Sequence, residues 1–595
     1  MCGIIGYVGN RDAQQILLKG LKRLQYRGYD SCGIAVRGDG IAVHKDVGTV
    51  EELEKTSPKL KGKTGIGHTR WATHGGVSRL NAHPHLDCAG TVAVVHNGVI
   101  TNYASIKEQL IKEGHAFRSD TDSEVISHLI EKHYRGNFQE AVSKAVHDLS
   151  GSFAIVAMHR DHQELVGARR ECPLIVGKSE RNGNFIASDI LAFLEHTDRA
   201  VYLEDGDIAV ATDTGVAITN SHGPVERPEV RIQWGAEESR KAGYEHFMLK
   251  EIHEQPKVID RTLSGRIKAV EPGVELGIER YDNLNDITLI ACGTSYHAAL
   301  VGEQAISQLS GIPARAVIAS EFRGADALRP DSLLIGISQS GETADTLRAL
   351  KTARESGVRI LAITNVPGSS ITRYADQTLY TCAGPEVAVA ATKTFTAQLI
   401  ALYLFAIAYS RTSDDAAIRL KEGLRALSGK VESILDSEPQ IVEQARHLSH
   451  FHNAFLIARG INYPAAMEGA LKLKEVAYVH AEAFPAGELK HGPFALLGAA
   501  TPVIAIVPGD DTREPMLTSI KEVKSRGAMV LALAPENDEA IEQLADSVIR
   551  VPVAEAMLSP LLNAAALQLL SYYVARERGC PIDMPINLAK SVTVP

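Results

Sequence analysis

The first residues of the chain, Met1 and Cys2 in "MCGIIGYVG", combine two groups that could perform chemistry. If Met1 is removed, Cys2 carries both a thiol nucleophile and a free α-amine, whose pKa near 7.7–8.0 suits proton transfer at neutral pH. The plainer interpretation is that Cys2 is a small apolar side chain on a first strand. Both interpretations stay open at this point.

Two later loops could complete an amide-cleaving site around such a nucleophile. Arg70, in "GIGHTRWATHGG", offers a bidentate guanidinium for a carboxylate. Asn97 and Gly98 follow a strand, which is typical either of a hairpin turn or of an oxyanion hole made by a side-chain amide and a backbone N–H. Asp122, in "SDTDSEV", could bind an α-ammonium group or belong to a helix cap.

A turn in the second half of the chain, "LLIGISQSGETADTLRAL", resembles a phosphate site in its residue types. An apolar strand ends at Ile337, and a helix is predicted from about Thr343. Backbone N–H groups and the positive end of the helix dipole would converge there with the hydroxyls of Ser338, Ser340 and Thr343. A capping box without a ligand is the alternative, but three hydroxyls and Gln339 favour a phosphomonoester.

Candidate acid–base groups follow in "EGALKLKEVAYVHAEAFPAGELKHGP". Glu468, Lys472 and Glu475 share one face of a predicted helix, which could be a solvated salt-bridge face or could line a cleft. His491 lies in the loop that follows, and a carboxylate with a histidine suits the proton transfers of aldose–ketose isomerisation. Lys590 lies in a nearly uncharged tail, where it is either solvated or able to form a Schiff base with a sugar carbonyl.

The elements that must position these residues change along the chain. Short strands and two helices up to about residue 225 predict an α+β domain with antiparallel sheets. Strand–turn–helix units from about 286 predict parallel sheets, and "LIACGTSYHAA" from Leu289 matches "LIARGINYPAA" from Leu456, which indicates a repeat. The predicted organisation is 1–225, a charged helical connector at 226–280, and α/β subdomains at 281–445 and 446–595.

Composition excludes several classes of function. The 595 residues carry a net charge of −10, which disfavours general binding to nucleic acid or to a membrane surface. Seven scattered cysteines without a CxxC pair argue against a disulfide framework and a structural zinc site. No metal site is therefore predicted, and His83 and His85 are interpreted as structural. No signal peptide is recognised, the apolar run from Leu399 to Tyr409 is too short to span a bilayer, and a cytoplasmic location is expected.

The first half resembles the class II glutamine amidotransferases in "CGIIGYVG", "YRGYDSCGI", "GHTRWATHG" and "HNGVITN". The resemblance implies an N-terminal nucleophile-type layered (αββα) fold and a glutaminase. Cys2 would be its nucleophile, with its own α-amine as the base. Asn97 and Gly98 would form the oxyanion hole. The glutamine would be bound by Arg70, Trp71, Thr73, His74 and Asp122, with Arg70 on its carboxylate, Asp122 on its ammonium group and Trp71 gating a channel for ammonia.

The second half resembles the sugar isomerase (SIS) family of phosphosugar-binding domains in Gly293-Thr294-Ser295 and in residues 338–343. The resemblance implies a sugar-phosphate site formed by Thr294, Ser295, Ser338, Gln339, Ser340 and Thr343. It further implies ring opening by His491, from a neighbouring subunit of a homodimer, and a Schiff base at Lys590. Glu475 would move the proton between C1 and C2, supported by Lys472 and Glu468.

The two resemblances, with the connector "GYEHFMLKEIHEQP" and the tail "NLAKSVTV", imply one reaction. L-glutamine would be hydrolysed, and its ammonia would pass through an internal channel to fructose 6-phosphate to give glucosamine 6-phosphate. The Schiff base activates the sugar carbon, so neither a metal nor an organic cofactor is expected. The alternatives are a phosphosugar isomerase or deaminase, or a sugar-phosphate sensor, in which the first half only regulates.

Overall fold

The computed structural model describes residues 2–232, 235, 238, 240–267, 274–323, 329, 331–410 and 414–592. Met1, parts of the predicted connector and the last three residues of the tail lie outside the described residues. The chain divides into two compact units: one contains residues 1–239 with 368–370 and 589–595, and the other contains 240–367 with 371–588.

The first unit is built on two antiparallel sheets. Its strands are β1 (Gly3–Val8), β2 (Ser31–Arg37), β3 (Ile41–Val47), β4 (Thr64–Arg70), β5 (His85–Leu86), β6 (Val92–Ile100), β7 (Gly151–His159), β8 (Leu165–Arg170), β9 (Ile175–Gly177), β10 (Asn184–Ala187), β11 (Arg199–Tyr202), β12 (Ile208–Ala211), β13 (Val216–Asn220), β14 (Gly223–Pro224) and β15 (Glu229–Arg231). The eight-stranded sheet has the order β15-β11-β9-β10-β1-β4-β2-β3, and the seven-stranded sheet has the order β14-β13-β12-β8-β7-β6-β5.

The two sheets pack face to face through alternating apolar side chains. Ile4 and Ala35 from the first sheet share one buried cluster with Val95 and Val156 from the second. Because side chains alternate across a strand, each sheet still has a second face to cover. The antiparallel sheets predicted from the short strand pattern are therefore present, and residues 229–231 of the predicted connector extend the first sheet.

Helices cover the outer faces of both sheets. They are α1 (Ala13–Leu24), α2 (Val50–Thr56), α3 (Tyr103–Lys112), α4 (Glu124–His133) and α5 (Phe138–Asp148). Helix α1 buries Ile16, Leu17 and Leu21 on one stripe. Glycines in the neighbouring strand make room for it, since a Cβ at Gly67 would lie 3.0 Å from Leu21 Cδ1. Helices α4 and α5 cover the seven-stranded sheet, and Val125 and Phe138 pack against Val94 there.

The second unit contains two five-stranded parallel sheets, each flanked by helices. Its elements are α6 (Phe247–His253), α7 (Gln255–Leu263), β16 (Asp286–Ala291), α8 (Gly293–Ser310), β17 (Ala314–Ile318), β18 (Ser332–Ser338), α9 (Ala344–Glu355), β19 (Arg359–Thr364), α10 (Ile371–Tyr374), β20 (Gln377–Tyr380), α11 (Lys393–Ala408), α12 (Asp414–Asp436), α13 (Glu438–Leu448), β21 (Asn453–Ala458), α14 (Tyr463–Ala477), β22 (His480–Pro485), β23 (Val503–Ile506), α15 (Arg513–Lys524), β24 (Val530–Pro535), β25 (Ser547–Val551) and α16 (Ser559–Glu577).

The two sheets repeat one topology, as the internal sequence match predicts. The strand orders are β17-β16-β18-β19-β20 and β22-β21-β23-β24-β25, so in each sheet the first strand lies between the second and the third. Gly293 and Gly460, which occupy equivalent places in the match, both have a φ of 54°. In such doubly wound sheets the crevice at the carboxyl ends of the first and third strands is where ligands bind.

The apolar run from Leu399 to Tyr409 falls mainly in α11, whose described side chains from Lys393 to Ile407 are buried. This confirms the predicted core helix. Among the described residues, the structure has no helix with the length and apolar character needed to cross a bilayer.

Candidate active sites

Cys2 lies immediately before β1, and the pairing of β1 with β4 brings it beside the end of β4 and the loop that follows. Gly3 pairs with Thr69, so the residues after Arg70 lie next to Cys2. The Trp71 N–H donates to Cys2 Sγ at 3.2 Å. Burial raises the pKa of the Cys2 thiol, and the Trp71 N–H and the Arg70 guanidinium act in the opposite direction. The thiol is therefore mostly protonated at neutral pH and needs a base before it can attack.

Asn97 is held against Cys2 by contacts at both ends of its side-chain amide. Asn97 Nδ2 donates to the Cys2 carbonyl oxygen at 2.9 Å. His68 Nε2 lies 3.0 Å from Asn97 Oδ1 and 3.0 Å from the His96 carbonyl oxygen, so its N–H donates to these acceptors and fixes the amide orientation. An amide nitrogen carries two N–H groups, and the second remains for an oxyanion.

Gly98 has a conformation that requires glycine. Its φ is +120°, and a Cβ there would lie 2.1 Å from the Ser152 carbonyl oxygen. The residue belongs to β6, within the pairing with β7, so Asn97-Gly98 is not the two-residue hairpin turn that the sequence leaves open. The remaining interpretation from the sequence, a backbone N–H beside an amide donor, is compatible with this position.

Arg70 is buried at the end of β4 and organises the loop that follows. Its guanidinium donates to the carbonyl oxygens of His74, Gly75 and Gly76 at 2.5, 3.0 and 3.1 Å. Burial lowers the pKa of Arg70, and nearby Cys2 and acidic groups raise it. The loop leaves Thr73 exposed and His74 half-buried.

Asp122 lies just before α4 and is buried. One carboxylate oxygen accepts from the Ile100 N–H at 2.8 Å, and the other accepts from the Ser123 hydroxyl at 3.3 Å. These bonds tie the start of α4 to the end of β6. A carboxylate has about four acceptor sites, so an ammonium group can still bind to it.

Two residues that the sequence analysis did not single out position this site. Asp30 accepts from the Ala72 N–H at 2.8 Å, and its own N–H donates to the Arg70 carbonyl oxygen at 3.0 Å. His68 orients Asn97, and burial lowers its pKa to about 3, which keeps the imidazole neutral. Asp30 occurs inside the motif "YRGYDSCGI" and His68 inside "GHTRWATHG", so these motifs could have identified both residues.

In the second unit, Glu468, Lys472 and Glu475 lie on one face of α14, as their spacing predicts. Lys472 Nζ lies 3.2 Å from Glu468 Oε1 and 2.6 Å from Glu475 Oε2. Helix α8 covers this face: Thr294 Oγ1 donates to Glu468 Oε1 at 3.0 Å, and His297 Nδ1 lies 2.7 Å from Glu468 Oε2. The solvated salt-bridge face considered above is therefore wrong.

Burial divides the three charged groups into an inner pair and an outer carboxylate. The side chains of Lys472 and Glu468 are 0% and 1% exposed, whereas that of Glu475 is 21% exposed. Burial by itself lowers the pKa of Lys472, but the two carboxylates raise it above its usual value. Burial likewise raises the pKa of Glu468, but Lys472 and His297 lower it. Glu475 is thus the member that a substrate can reach.

The turn between β18 and α9 has the predicted form. Ser338 ends the strand, and its hydroxyl lies 2.9 Å from that of Thr343, the residue before the first helical residue. The Gly341 N–H donates to the Ser338 hydroxyl at 3.1 Å, and the Glu342 N–H donates to the Ser340 hydroxyl at 3.2 Å. Among the described residues, the Thr343 side chain makes no capping hydrogen bond. The capping box is therefore absent, and hydroxyls gather at a helix N-terminus.

The turn after β16 lies at the same edge of this sheet, because β16 and β18 are parallel neighbours. Ser295 accepts from Gln398 Nε2 at 3.0 Å and keeps its own hydroxyl proton for another acceptor. Thr294 instead contacts both Glu468 and Lys472, which links this turn to the charged groups of α14.

Two candidate residues lie outside the contacts described so far. His491 ends a short 3₁₀ segment and is exposed, and its side chain makes no hydrogen bond or ion pair within the described part of the chain. Lys590 is half-buried and falls in the terminal segment 589–595, which groups with the first unit.

Family models match both halves of the chain. A glutamine amidotransferase domain matches residues 68–195. A SIS domain matches twice, at residues 282–408 and 447–578. The two matches of the second model coincide with the two parallel sheets.

Full-length relatives carry both halves. The chain is 46% identical over 608 residues to the glutamine–fructose-6-phosphate aminotransferase [isomerizing] of Clostridium acetobutylicum, and 45% identical over 604 residues to that of Thermus thermophilus, with 100% of each chain covered. The C-terminal domain of glucosamine-fructose-6-phosphate aminotransferase from Francisella tularensis is similar in structure, with 36% identity and a TM-score of 0.55 over 58% of this chain and 100% of that one. The chain therefore belongs to the family of isomerizing glutamine–fructose-6-phosphate aminotransferases.

Proposed function

We propose that the chain hydrolyses L-glutamine and transfers the ammonia to D-fructose 6-phosphate, which is isomerised to D-glucosamine 6-phosphate. It would thus act as a glutamine–fructose-6-phosphate transaminase of the isomerizing type, in the cytoplasm. The observation that carries the proposal is the presence, in one chain, of a thiol beside an amide donor and of hydroxyl-rich turns beside buried acid–base groups.

The first reaction would take place in the first unit, for which we propose the N-terminal nucleophile-type layered (αββα) fold. Once Met1 is removed, the α-amine of Cys2 takes the thiol proton, and the sulfur attacks the side-chain amide carbon of glutamine. Asn97 Nδ2 and the Gly98 N–H donate to the oxyanion of the tetrahedral intermediate. The protonated amine then gives its proton to the leaving ammonia, and water hydrolyses the thioester to glutamate.

The pocket would bind the α-carboxylate and α-ammonium of glutamine by charge complementarity. Arg70, with Thr73 and His74, would bind the carboxylate, and Asp122 would bind the ammonium. Arg70 uses part of its five N–H donors on three loop carbonyls, so binding glutamine at the others would order the same loop. Trp71 lies in that loop, and we propose that it gates an internal channel for ammonia.

The second reaction would take place at the sugar-phosphate site of the second unit. The turn from Ser338 to Thr343, with Gln339, Ser340 and the N-terminus of α9, would bind the phosphate, and Thr294 and Ser295 would bind nearby hydroxyls. Lys590 would form a Schiff base with the C2 carbonyl of the open sugar, and ammonia would then displace the lysine. Glu475 would remove the proton from C1 and return it to C2.

The inner pair Glu468 and Lys472 would hold Glu475 in place, since Lys472 Nζ lies 2.6 Å from its carboxylate. His491 would assist ring opening, and its exposed imidazole fits a site completed by a second subunit. We therefore propose a homodimer.

We also propose that the domains of the chain are residues 1–225, 226–280, 281–445 and 446–595.

The direct test is the synthesis of glucosamine 6-phosphate by the purified full-length protein from glutamine and fructose 6-phosphate. With glutamine as the nitrogen source, we expect product from the wild type and none from Cys2→Ala. With ammonia supplied instead of glutamine, Cys2→Ala should still form product if its second site is intact. Intact mass identifies the fraction that has lost Met1, and glutaminase activity should follow that fraction. Isomerase activity without product would instead support a phosphosugar isomerase with a regulatory first half.

A further inference from the structure

Four side chains with metal-binding atoms converge within the first unit. They form a cluster separate from the contacts around Cys2 that are described above. They are Cys88, His115, His128 and Glu131, and one ligand atom from each lies within 4.8 Å of all the others. Cys88 comes from the loop between β5 and β6, His115 from the loop after α3, and His128 and Glu131 from one face of α4. Three separate segments therefore supply one cluster.

The distances between these atoms are close to the edges of a tetrahedral zinc site. Cys88 Sγ lies 3.6 Å from His115 Nδ1 and 3.5 Å from His128 Nδ1. Zn–S bonds of about 2.3 Å and Zn–N bonds of about 2.0–2.1 Å at tetrahedral angles place sulfur and nitrogen about 3.5 Å apart. Both imidazole–thiol pairs therefore already have the separation that a shared zinc ion imposes.

The carboxylate completes the same arrangement. Glu131 Oε2 lies 3.4 Å from His128 Nδ1 and 2.9 Å from His115 Nδ1. A tetrahedral zinc site separates nitrogen and carboxylate oxygen by about 3.3 Å. The Cys88 N–H donates to this oxygen at 3.3 Å, which holds the carboxylate beside the thiol.

Surrounding groups orient the ligands as outer contacts do in metal sites. His128, whose side chain is 1% exposed, turns Nδ1 toward the cluster and Nε2 toward the carboxylate of Glu124, 3.7 Å away. This distance is too long for a hydrogen bond, so Glu124 places a negative charge behind the imidazole without bonding to it. The Ala116 N–H donates to Cys88 Sγ at 3.4 Å, which fixes the sulfur beside the two imidazoles. Phe117 packs against the His128 ring, with centroids 4.4 Å apart, and shields it.

We propose that Cys88, His115, His128 and Glu131 bind one zinc ion in a closed, four-coordinate structural site. A thiolate with two imidazoles and a carboxylate selects a borderline metal such as Zn²⁺ over Mg²⁺ or Ca²⁺, which prefer oxygen ligands. The lack of a CxxC pair in the sequence predicts no zinc site. That pattern does not detect this cluster, because a single cysteine here joins ligands that lie up to 43 residues away in sequence.

The ion would fasten α4 to the two loops beside it. Asp122 lies just before α4, is bonded to the end of β6 and is proposed to bind the ammonium of glutamine. Zinc would therefore stabilise one wall of the glutaminase pocket without touching the substrate. Cys88 is exposed, so metal and chelators can reach the site from solvent.

Elemental analysis of the full-length protein after dialysis tests the proposal, followed by Zn²⁺ titration against a chromophoric chelator. We expect about one zinc per chain in the wild type, and at least about a 100-fold loss of affinity in Cys88→Ser and in His115→Ala. His147→Ala removes a histidine of the same unit whose side chain is 92% exposed, and it should retain full zinc binding. Absence of stoichiometric binding, or equal binding by Cys88→Ser, would overturn the proposal.

Cobalt substitution of the wild type keeps the test independent of how the variants fold. Co²⁺ at this site should give a thiolate-to-metal charge-transfer band and the intense visible bands of tetrahedral coordination. Removal of the metal should also increase amide hydrogen exchange in α4. Octahedral Co²⁺ spectra without a thiolate band would contradict the assigned ligands, whatever the activity of the protein.

Discussion

The ammonium nitrogen of Lys472 lies 2.6 Å from Glu475 and 3.2 Å from Glu468, in a side chain with no exposed surface. Three charges on one helix face are thus arranged as a cation between two carboxylates, of which only Glu475 reaches solvent. This arrangement separates a residue that supports the site from a residue that can act on a sugar.

Lys472→Met should destabilise the second unit strongly, because it leaves Glu468 buried without its main partner. Breaking a buried ion pair in this way costs about 3–5 kcal/mol. We expect that loss in the free energy of unfolding from urea denaturation of the full chain, and a Lys472→Met protein as stable as the wild type would contradict the buried arrangement.

Glu475→Gln should leave the stability of the protein nearly unchanged but lower its synthetic activity. The side chain is 21% exposed, and Lys472 keeps Glu468 as a partner, so stability should change little. Loss of the proton carrier should lower kcat for synthesis by about 10²–10⁴, while glutaminase activity persists. Glu482→Gln, a change to an exposed carboxylate in the same unit, serves as the control. Full synthetic activity in Glu475→Gln would show that another group moves the proton.

Asn97→Ala should impair the glutaminase without abolishing substrate binding. Loss of one oxyanion donor typically lowers kcat by about 10²–10³, and KM for glutamine should stay close to the wild-type value. Asn10→Ala, at an exposed position of the same unit, should behave as the wild type. A KM effect alone would indicate that Asn97 only shapes the pocket.

Mixed dimers can show whether His491 acts on a neighbouring subunit. Glu475→Gln and His491→Ala chains are each expected to be inactive in synthesis. When they are denatured together and refolded, half of the dimers are mixed, and each has one site with both native residues, which gives about a quarter of wild-type activity. No recovery in mixed dimers that do form would place His491 in the site of its own subunit.

Buried histidines around Asn97 predict acid sensitivity of the first unit. Burial lowers the pKa of His68 to about 3, and lowers that of His83 well below its usual value. Between about pH 6.5 and the folded-state pKa, the unfolded chain binds more protons than the folded chain. The stabilising contribution of these buried neutral histidines is therefore present above pH 6.5 and is lost as pH falls. Each such histidine should cost about 2 kcal/mol between pH 7 and pH 5.

Tryptophan fluorescence during urea unfolding measures this effect in the full chain. Trp71, whose N–H donates to Cys2 Sγ, lies in the first unit, so its emission reports on the unfolding of that unit. The transition should move to lower urea concentration at pH 5. A midpoint that stays constant from pH 7 to pH 5 would mean that these imidazoles can be protonated in the folded protein.

The sequence predicts elements and motif residues better than it predicts contacts between elements. The antiparallel sheets predicted from the short strands and the parallel sheets predicted from the strand–turn–helix units are both present, because apolar runs and turn residues are local features of the sequence. The spacing of Glu468, Lys472 and Glu475 likewise shows that they share a face. It cannot show that Thr294 and His297 of α8 close over that face, since those residues lie far away in sequence.

The same limit explains the residues that the sequence analysis missed. His68 acts on Asn97 across two different sheets, through a pairing that no local pattern encodes. Cys88 meets His115 and His128 only because the β5–β6 loop folds against α4. Contacts of this kind depend on tertiary packing, whereas capping, periodicity and turn residues are local.

The proposed function requires that one chain join glutamine hydrolysis to sugar amination. Glutamine labelled with ¹⁵N at the side-chain amide, incubated with fructose 6-phosphate and excess unlabelled ammonium, measures this link directly by mass spectrometry of the product. We predict glucosamine 6-phosphate that carries mostly ¹⁵N with the wild type, and only unlabelled product or none with Cys2→Ala. Glutamate formation with no glucosamine 6-phosphate, or product that carries only unlabelled nitrogen with the wild type, would show that the two reactions are not joined in this chain.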